Sequence, residues 1–271
     1  MNITDSEFNR AVRFMKGHFG IELGEKRTLV VTRLENYLTQ AGYESFGSFL
    51  DKVEASPAGP EAQTMVNYLT TNHTFFMREP VHFNFLKETV LPWIRELEKN
   101  THDIRIWSAA ASTGEEAYSI VMVLLDFFAL EAGEWDKHVL ATDISQRALS
   151  RARDGVYPPQ AVDNLPQAWV HRYFEKLPDG NYKVRSILGE EVIFRTFNLM
   201  DEPPFRKKFH LIFLRNVMIY FDEDTKAKLV KKMYDWLLPG GYLFIGTTES
   251  IDKSCTNFEY VAPSIYRKPK Q

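Results

Sequence analysis

Cysteine is nearly absent from this 271-residue chain: Cys255 stands alone, so no disulfide can form within it and no multi-cysteine metal site can be built. A single thiol also fits a reducing compartment. No apolar run approaches the roughly 20 residues that a membrane span needs, and the N-terminus lacks a basic stub followed by an apolar stretch. Charge of one sign is missing too, since 33 Lys and Arg against 36 Asp and Glu leave a formal charge of -3. Without a basic excess the molecule as a whole is not drawn to nucleic acid. There is no G-x-G-x-x-G fingerprint, which argues against a dinucleotide enzyme, and no metal site is expected. What is present is 44% apolar and 14% aromatic residues, enough for a sizeable core.

The chain has two halves with different periodicity. From Ser6 to about Thr71 apolar residues recur at helical spacing, as in Phe8, Val12, Met15 and Phe19, then Val30, Leu34, Tyr37 and Leu38, then Phe46, Phe49, Leu50 and Val53. This predicts a small helical domain over 1–71. Lys26, Arg27 and Arg33 form a basic cluster assigned to its second helix, with positions 26 and 33 two turns apart on one side. After Pro80 short apolar runs alternate with amphipathic segments, the signature of a parallel sheet covered on both faces. Strands are predicted over 104–108, 138–143, 191–197, 209–214 and 242–246, and helices over 115–128, 145–154 and 223–238. Residues 173–188 break this rhythm with two short β-like runs around Pro178-Asp179-Gly180-Asn181, predicting an inserted hairpin.

In such sheets ligands sit beyond the carboxyl ends of the strands. The loop Ser108-Ala109-Ala110-Ala111-Ser112-Thr113-Gly114 after the first strand is built of small residues that admit a ligand close to the backbone. Glu115 and Glu116 then open the helix. Acids there would repel a pyrophosphate but suit a positively charged ligand. Asp143 ends the second strand, where a carboxylate can take ribose hydroxyls. Asn198-Leu199 and Arg215-Asn216 end the next two, so polar groups arrive repeatedly on one rim. The linker over 72–80 carries Asn72, Thr74 and Arg78 just before Pro80, which is expected to start a helix. An Asp201-Glu202-Pro203-Pro204-Phe205 stretch superficially matches the box of base-amino methyltransferases, but it precedes the 209–214 strand instead of following it.

The blocks TTNHTFFMRE, SAAASTGEEAYS, ATDIS, LRNVMIYF and PGGYLFIGTTES, in this order, resemble the CheR family of chemotaxis receptor methyltransferases over nearly the whole chain. The resemblance implies an α/β fold: a Rossmann-like S-adenosylmethionine-dependent methyltransferase sheet over 81–271, with a small antiparallel β-subdomain inserted around 172–190, preceded by the all-α domain. It implies S-adenosylmethionine as donor, and glutamates on the cytoplasmic helical bundle of methyl-accepting chemotaxis receptors as acceptors. Carried over by motif, Asn72, Thr74, Arg78, Glu116, Asp143, Asn198, Leu199, Arg215 and Asn216 would hold the cofactor, with Arg78 and Tyr220 beside the transferred methyl. Glu115 and Glu116 remain alternatives for the main acidic contact. Lys26, Arg27 and Arg33 would face the receptor. The short turn at 178–181 points to a member that works without a receptor tail peptide. It also implies a cytoplasmic protein recruited to membrane receptor arrays, without membrane insertion and without nucleic acid as partner. An adaptor of the same fold with weak catalysis is the alternative.

Overall fold

A computed structural model describes residues 1–131, 135–252 and 256–270. Cys255 lies outside the described residues. Four helices, α1 (Asp5–Phe19), α2 (Arg27–Gln40), α3 (Phe46–Ala55) and α4 (Pro60–Leu69), surround one apolar core that includes Met15, Val30, Phe49 and Met65. Their ends follow from the local sequence. Thr4 and Glu7 form a reciprocal capping box at the start of α1, and Gly20 closes it in the left-handed conformation. Pro60 occupies the first turn of α4.

The second unit begins with α5 (Pro80–Phe85), a π-helical turn over Leu86–Val90 and α6 (Leu91–Leu97). Its sheet contains β1 (Ile106–Ala109), β2 (Val139–Asp143), β6 (Val192–Thr196), β7 (Phe209–Leu214), β8 (Leu237–Ile245), β9 (Glu259–Ala262) and β10 (Ile265–Arg267). The spatial order is β6-β2-β1-β7-β8-β10-β9. The first five are parallel, and β10 and β9 are antiparallel additions. Every residue of β7 is buried, as its uninterrupted apolar run requires. The chain order reverses beside β1, which is flanked by β2 and β7, so the crevice for a ligand opens at the carboxyl ends of these three strands. Helices α7 (Glu115–Phe127), α8 (Gln146–Asp154) and α12 (Glu223–Trp236) provide the main crossovers. Ten of the thirteen residues of α7 are buried, so this helix lies within the core and not on its surface.

Between β2 and β6 lies the insertion. It holds β3 (Val156–Tyr157), the short helices α9 (Pro159–Val162) and α10 (Gln167–Tyr173), β4 (Phe174–Lys176), β5 (Tyr182–Val184) and α11 (Ser186–Gly189). The expected hairpin is present as β4 and β5, but it is part of a three-stranded sheet in which β3 pairs with the other side of β5. A two-residue strand leaves no periodic signal, which is why β3 was not legible. Two further boundaries differ. Helix α12 ends at Trp236 and β8 starts at Leu237, because Pro239-Gly240-Gly241 is carried within the strand instead of terminating the helix.

Candidate functional site

The crevice is a cleft of about 1030 Å3, counting its open mouth, and its walls include Asn72, Thr74, Arg78, Glu116, Asp143, Asn198, Leu199, Arg215, Asn216 and Tyr220. All ten residues singled out for the pocket are therefore brought together. They arrive on the linker before α5, the start of α7, the end of β2 and the segments that follow β6 and β7.

The loop after β1 bends sharply: Ala110, Ser112 and Gly114 have φ of 68°, 51° and 96°. A Cβ on Gly114 would lie 2.9 Å from Cβ of Ala152, so only glycine allows this helix start to pack against α8. The bend turns the Ser112 amide onto Oδ2 of Asp143 at 2.8 Å, while the Ser145 amide reaches Oδ1 at 2.8 Å. Burial raises the Asp143 carboxyl above the ordinary range, and these backbone donors offset only part of that. Each oxygen keeps acceptor capacity toward the cleft.

On the neighbouring wall Arg215, its side chain 1% exposed, lies between two carboxylates: Nη1 is 3.1 Å from Oε2 of Glu116 and Nη2 is 3.2 Å from Oε2 of Glu79. Nη2 also donates to the carbonyl of Arg78, and the guanidinium lies over the Phe83 and Phe213 rings. Ser108 donates to the other Glu116 oxygen at 2.7 Å. Burial raises the Glu116 carboxyl above the ordinary range, against the pull of Arg215. Burial works the same way on Glu79, but Arg215, Asn216 and the Thr247 amide outweigh it and hold this carboxyl low. Two acids face one guanidinium, so a cationic ligand that favours the ionised form of Glu116 suits this wall.

The adjacent glutamates point in different directions. Glu116 faces the cleft, whereas Glu115 accepts from Thr113 Oγ1 at 2.7 Å and lines a separate depression with Arg147 and Arg151. Asn198 lines the cleft, yet its amide donates to the His18 carbonyl at 2.8 Å, which fixes it to the end of α1. Arg78 donates to the carbonyl of His73 at 3.0 Å and lies over the Phe75 ring. Among the described residues no carboxylate stands within ion-pair distance of it, so its charge is available at the mouth.

The basic cluster is only partly as expected. Lys26 precedes α2 as its N-cap residue and is exposed. Arg27 is turned onto the Ile3 carbonyl and Asp5. Arg33 donates to the carbonyls of Tyr68, Leu69 and Thr70 and to Thr71 Oγ1, and so ties α2 to the linker instead of presenting a free guanidinium.

Sequence reasoning missed the apolar part of the cleft. Phe19 and Ile21, from the end of the helical domain, join Phe197, Val217 and Phe221 in its wall. The triplet Phe19-Gly20-Ile21 was the available signal, but helical spacing assigned it to the domain's own core. The Asp201–Phe205 stretch is not among the residues that line the cleft, and Phe205 packs edge-on against Trp107 at 4.9 Å.

The residues fit S-adenosylmethionine. Acids stand at one part of the cleft and an apolar, partly aromatic wall at another, and tight glycine-assisted backbone faces the space between. The Arg215 Nε is buried without a partner, an orphan donor among the groups that surround the cleft.

Two family profiles match the chain: "CheR methyltransferase, all-alpha domain" over residues 6–70 and "CheR methyltransferase, SAM binding domain" over residues 72–266. Among curated relatives, a chemotaxis protein methyltransferase of Borreliella burgdorferi is 40% identical over 272 residues, covering 99% of this chain and 96% of that protein. One from Vibrio parahaemolyticus is 36% identical over 275 residues, covering 100% and 99%. One from Escherichia coli is 34% identical over 273 residues, covering 99% and 92%. With both profiles matched in order and relatives aligned end to end, this chain belongs to the CheR methyltransferase family and is an S-adenosylmethionine-dependent methyltransferase.

Proposed function

We propose that the protein methylates glutamate side chains on the cytoplasmic helical bundle of chemotaxis receptors, forming methyl esters. One observation carries the reading: Arg78, which has no carboxylate within ion-pair distance among the described residues, and Tyr220 stand in the same cleft as Glu116, Asp143 and Arg215. A cation is favoured deep in the cleft and an anion at its mouth.

When bound, S-adenosylmethionine supplies an electrophilic methyl on a positively charged sulfur. Glu116 and Asp143 would hold its amino group and ribose, with Asn72, Thr74, Asn198, Leu199, Arg215 and Asn216 completing the enclosure. An acceptor glutamate, with a pKa of about 4.3, is already an anion at neutral pH, so no residue has to take its proton. The chain's task is positioning: alignment of reacting groups can be worth roughly 7–11 kcal/mol. Arg78 and Tyr220 orient the acceptor carboxylate. The apolar wall from Phe19, Ile21 and Phe221 excludes water, which matters because opposite charges cancel during the transfer and a strongly polar medium would favour the reactants.

Exposed Lys26 offers a contact to an acidic receptor surface, while Arg27 and Arg33 serve the fold. The turn closing β4 to β5 is short, with the Leu177 amide bonded to the Asn181 carbonyl at 2.7 Å, which supports action without a receptor tail peptide. No helix of the described residues is long and apolar enough to cross a membrane. Action in the cytoplasm, on receptors held in membrane arrays, completes the reading.

The test is incubation with methyl-labelled S-adenosylmethionine and receptor-enriched membranes, followed by mild alkali. Label released as methanol identifies a carboxyl ester. Label retained through alkali shows methylation of nitrogen and refutes the reading.

A further inference from the structure

Glu249 lies on the loop after β8 and does not line the cleft, yet its carboxylate is committed to the loop that does. Oε2 accepts from the amides of Asn216 at 2.9 Å and Gly246 at 2.7 Å, and Oε1 accepts from the Ile219 amide at 3.3 Å. The two loops approach so closely that a Cβ on Gly246 would lie 2.5 Å from Nδ2 of Asn216 and 2.8 Å from Oε2 of Glu249. Asn216 is held at φ 56°, a left-handed conformation that asparagine tolerates better than most residues but that costs energy unless its surroundings enforce it. A carboxylate taking backbone donors is the strong form of hydrogen bond suited to enforcing it. Glu79 reinforces the same junction, accepting from the Asn216 side chain at 3.3 Å and the Thr247 amide at 3.2 Å. Directly after Ile219 comes Tyr220, at the end of a single 3-10 turn over Met218–Tyr220.

We infer that Glu249 is a positioning residue for methyl transfer: its carboxylate fastens the loop after β8 to the Arg215–Tyr220 segment and sets where Asn216 and Tyr220 stand in the cleft. The bonds hold the segment at both ends, at Asn216 and at Ile219, so the turn between them cannot rotate without breaking one. Glutamine keeps the shape but has one acceptor oxygen in place of two, and alanine has neither. The kinetic part of this inference rests on the receptor-methylation reading; the anchoring part does not.

The test uses the full chain with Glu249→Gln and Glu249→Ala. Amide hydrogen exchange over 215–221 should accelerate in the order Ala, Gln, wild type, while the β7 strand at 209–214 stays protected. In Glu249→Gln, turnover at saturating receptor should fall about tenfold to hundredfold, as a misplaced reacting group does. KM for receptor should hold near wild type, and calorimetric affinity for S-adenosylhomocysteine, which Asn216 helps to enclose, should fall by a smaller factor than turnover. Unchanged exchange in both variants overturns the inference. So does faster exchange with unchanged turnover, or a loss of turnover matched by loss of product affinity. If the wild-type protein itself esterifies no receptor, the functional reading fails, and exchange alone decides whether Glu249 is the anchor.

Discussion

The backbone amide of Glu22 donates to the carbonyl of Tyr220 across 2.8 Å, joining the exit of the helical domain to the lip of the cleft. Lys16 strengthens the junction, with Glu22 at 2.8 Å and Asp222 at 2.9 Å, and Asp222 in turn caps α12. The helical domain is therefore one wall of the methyltransferase pocket as well as a separate core.

Substitution at Gly20 tests this wall. Its φ is +69°, and an added Cβ would meet Sδ of Met200 at 2.6 Å and Cγ2 of Thr225 at 3.0 Å. Gly20→Ala should destabilise by about 1–2 kcal/mol from backbone strain alone, read as a lower urea midpoint. Affinity for S-adenosylhomocysteine should fall with it, since Phe19 and Ile21 flank the glycine.

Removing Arg215 leaves Glu79 and Glu116 facing each other without their shared cation. Arg215→Leu should cost on the order of 3–5 kcal/mol, the usual loss when one member of a buried ion pair is deleted. Arg215→Lys should recover little, because one ammonium cannot span both carboxylates as a planar fork does. Denaturant titration of both variants measures this.

Glu116 predicts a pH dependence of cofactor binding. Burial raises its carboxyl in the free protein, and a bound cation favours the ionised form, so binding releases a proton. Affinity should therefore rise with pH through the raised range and then level off. Glu116→Gln should bind more weakly at neutral pH and show a flatter profile. Calorimetry across pH in buffers of different ionisation enthalpy would reveal equal proton release in both proteins if this is wrong.

Tyr220→Phe should lower turnover without adding a new pH limb, because the hydroxyl orients and does not exchange a proton. A new acidic limb in the rate profile of the variant would contradict this role.

Stability should fall as pH drops from about 7 toward 4. His82 and His210 are both fully buried, and burial, aided by Arg215 and Arg105 respectively, pushes each down to about 4. Below the ordinary histidine value the unfolded chain takes up protons that the folded chain refuses, so each contributes stability at neutral pH that is lost on acidification. The shift from 6.5 to about 4 corresponds to at most ~3 kcal/mol per histidine. His210 lies far from the cleft, its Nδ1 accepting from the Arg105 amide at 3.1 Å. His210→Asn should therefore reduce the difference between urea midpoints at pH 7 and pH 5 without altering product affinity.

Much of this protein was determined by sequence alone, because the signals are local. The apolar run of β7 has one stable environment, the centre of a covered sheet. A small-residue loop ending in Gly114, followed by acids, marks a helix start open to a cation, and carboxyl-end residues such as Asp143 and Asn216 must share one rim once the strands are parallel. Tertiary structure alone decided the rest. Glu115 and Glu116 are identical residues side by side, and only the rotation of about 100° per residue along α7 sends one to the cleft and the other away. That Arg33 donates to the carbonyls of Tyr68, Leu69 and Thr70 could be seen only once α2 and the end of α4 were packed together. Phe19, the amide of Glu22, and Glu249 reach the site from positions far along the chain, and periodicity carries no information about which distant surfaces meet. Packing settles that, because nearly all buried polar groups have to find partners somewhere in the closed fold.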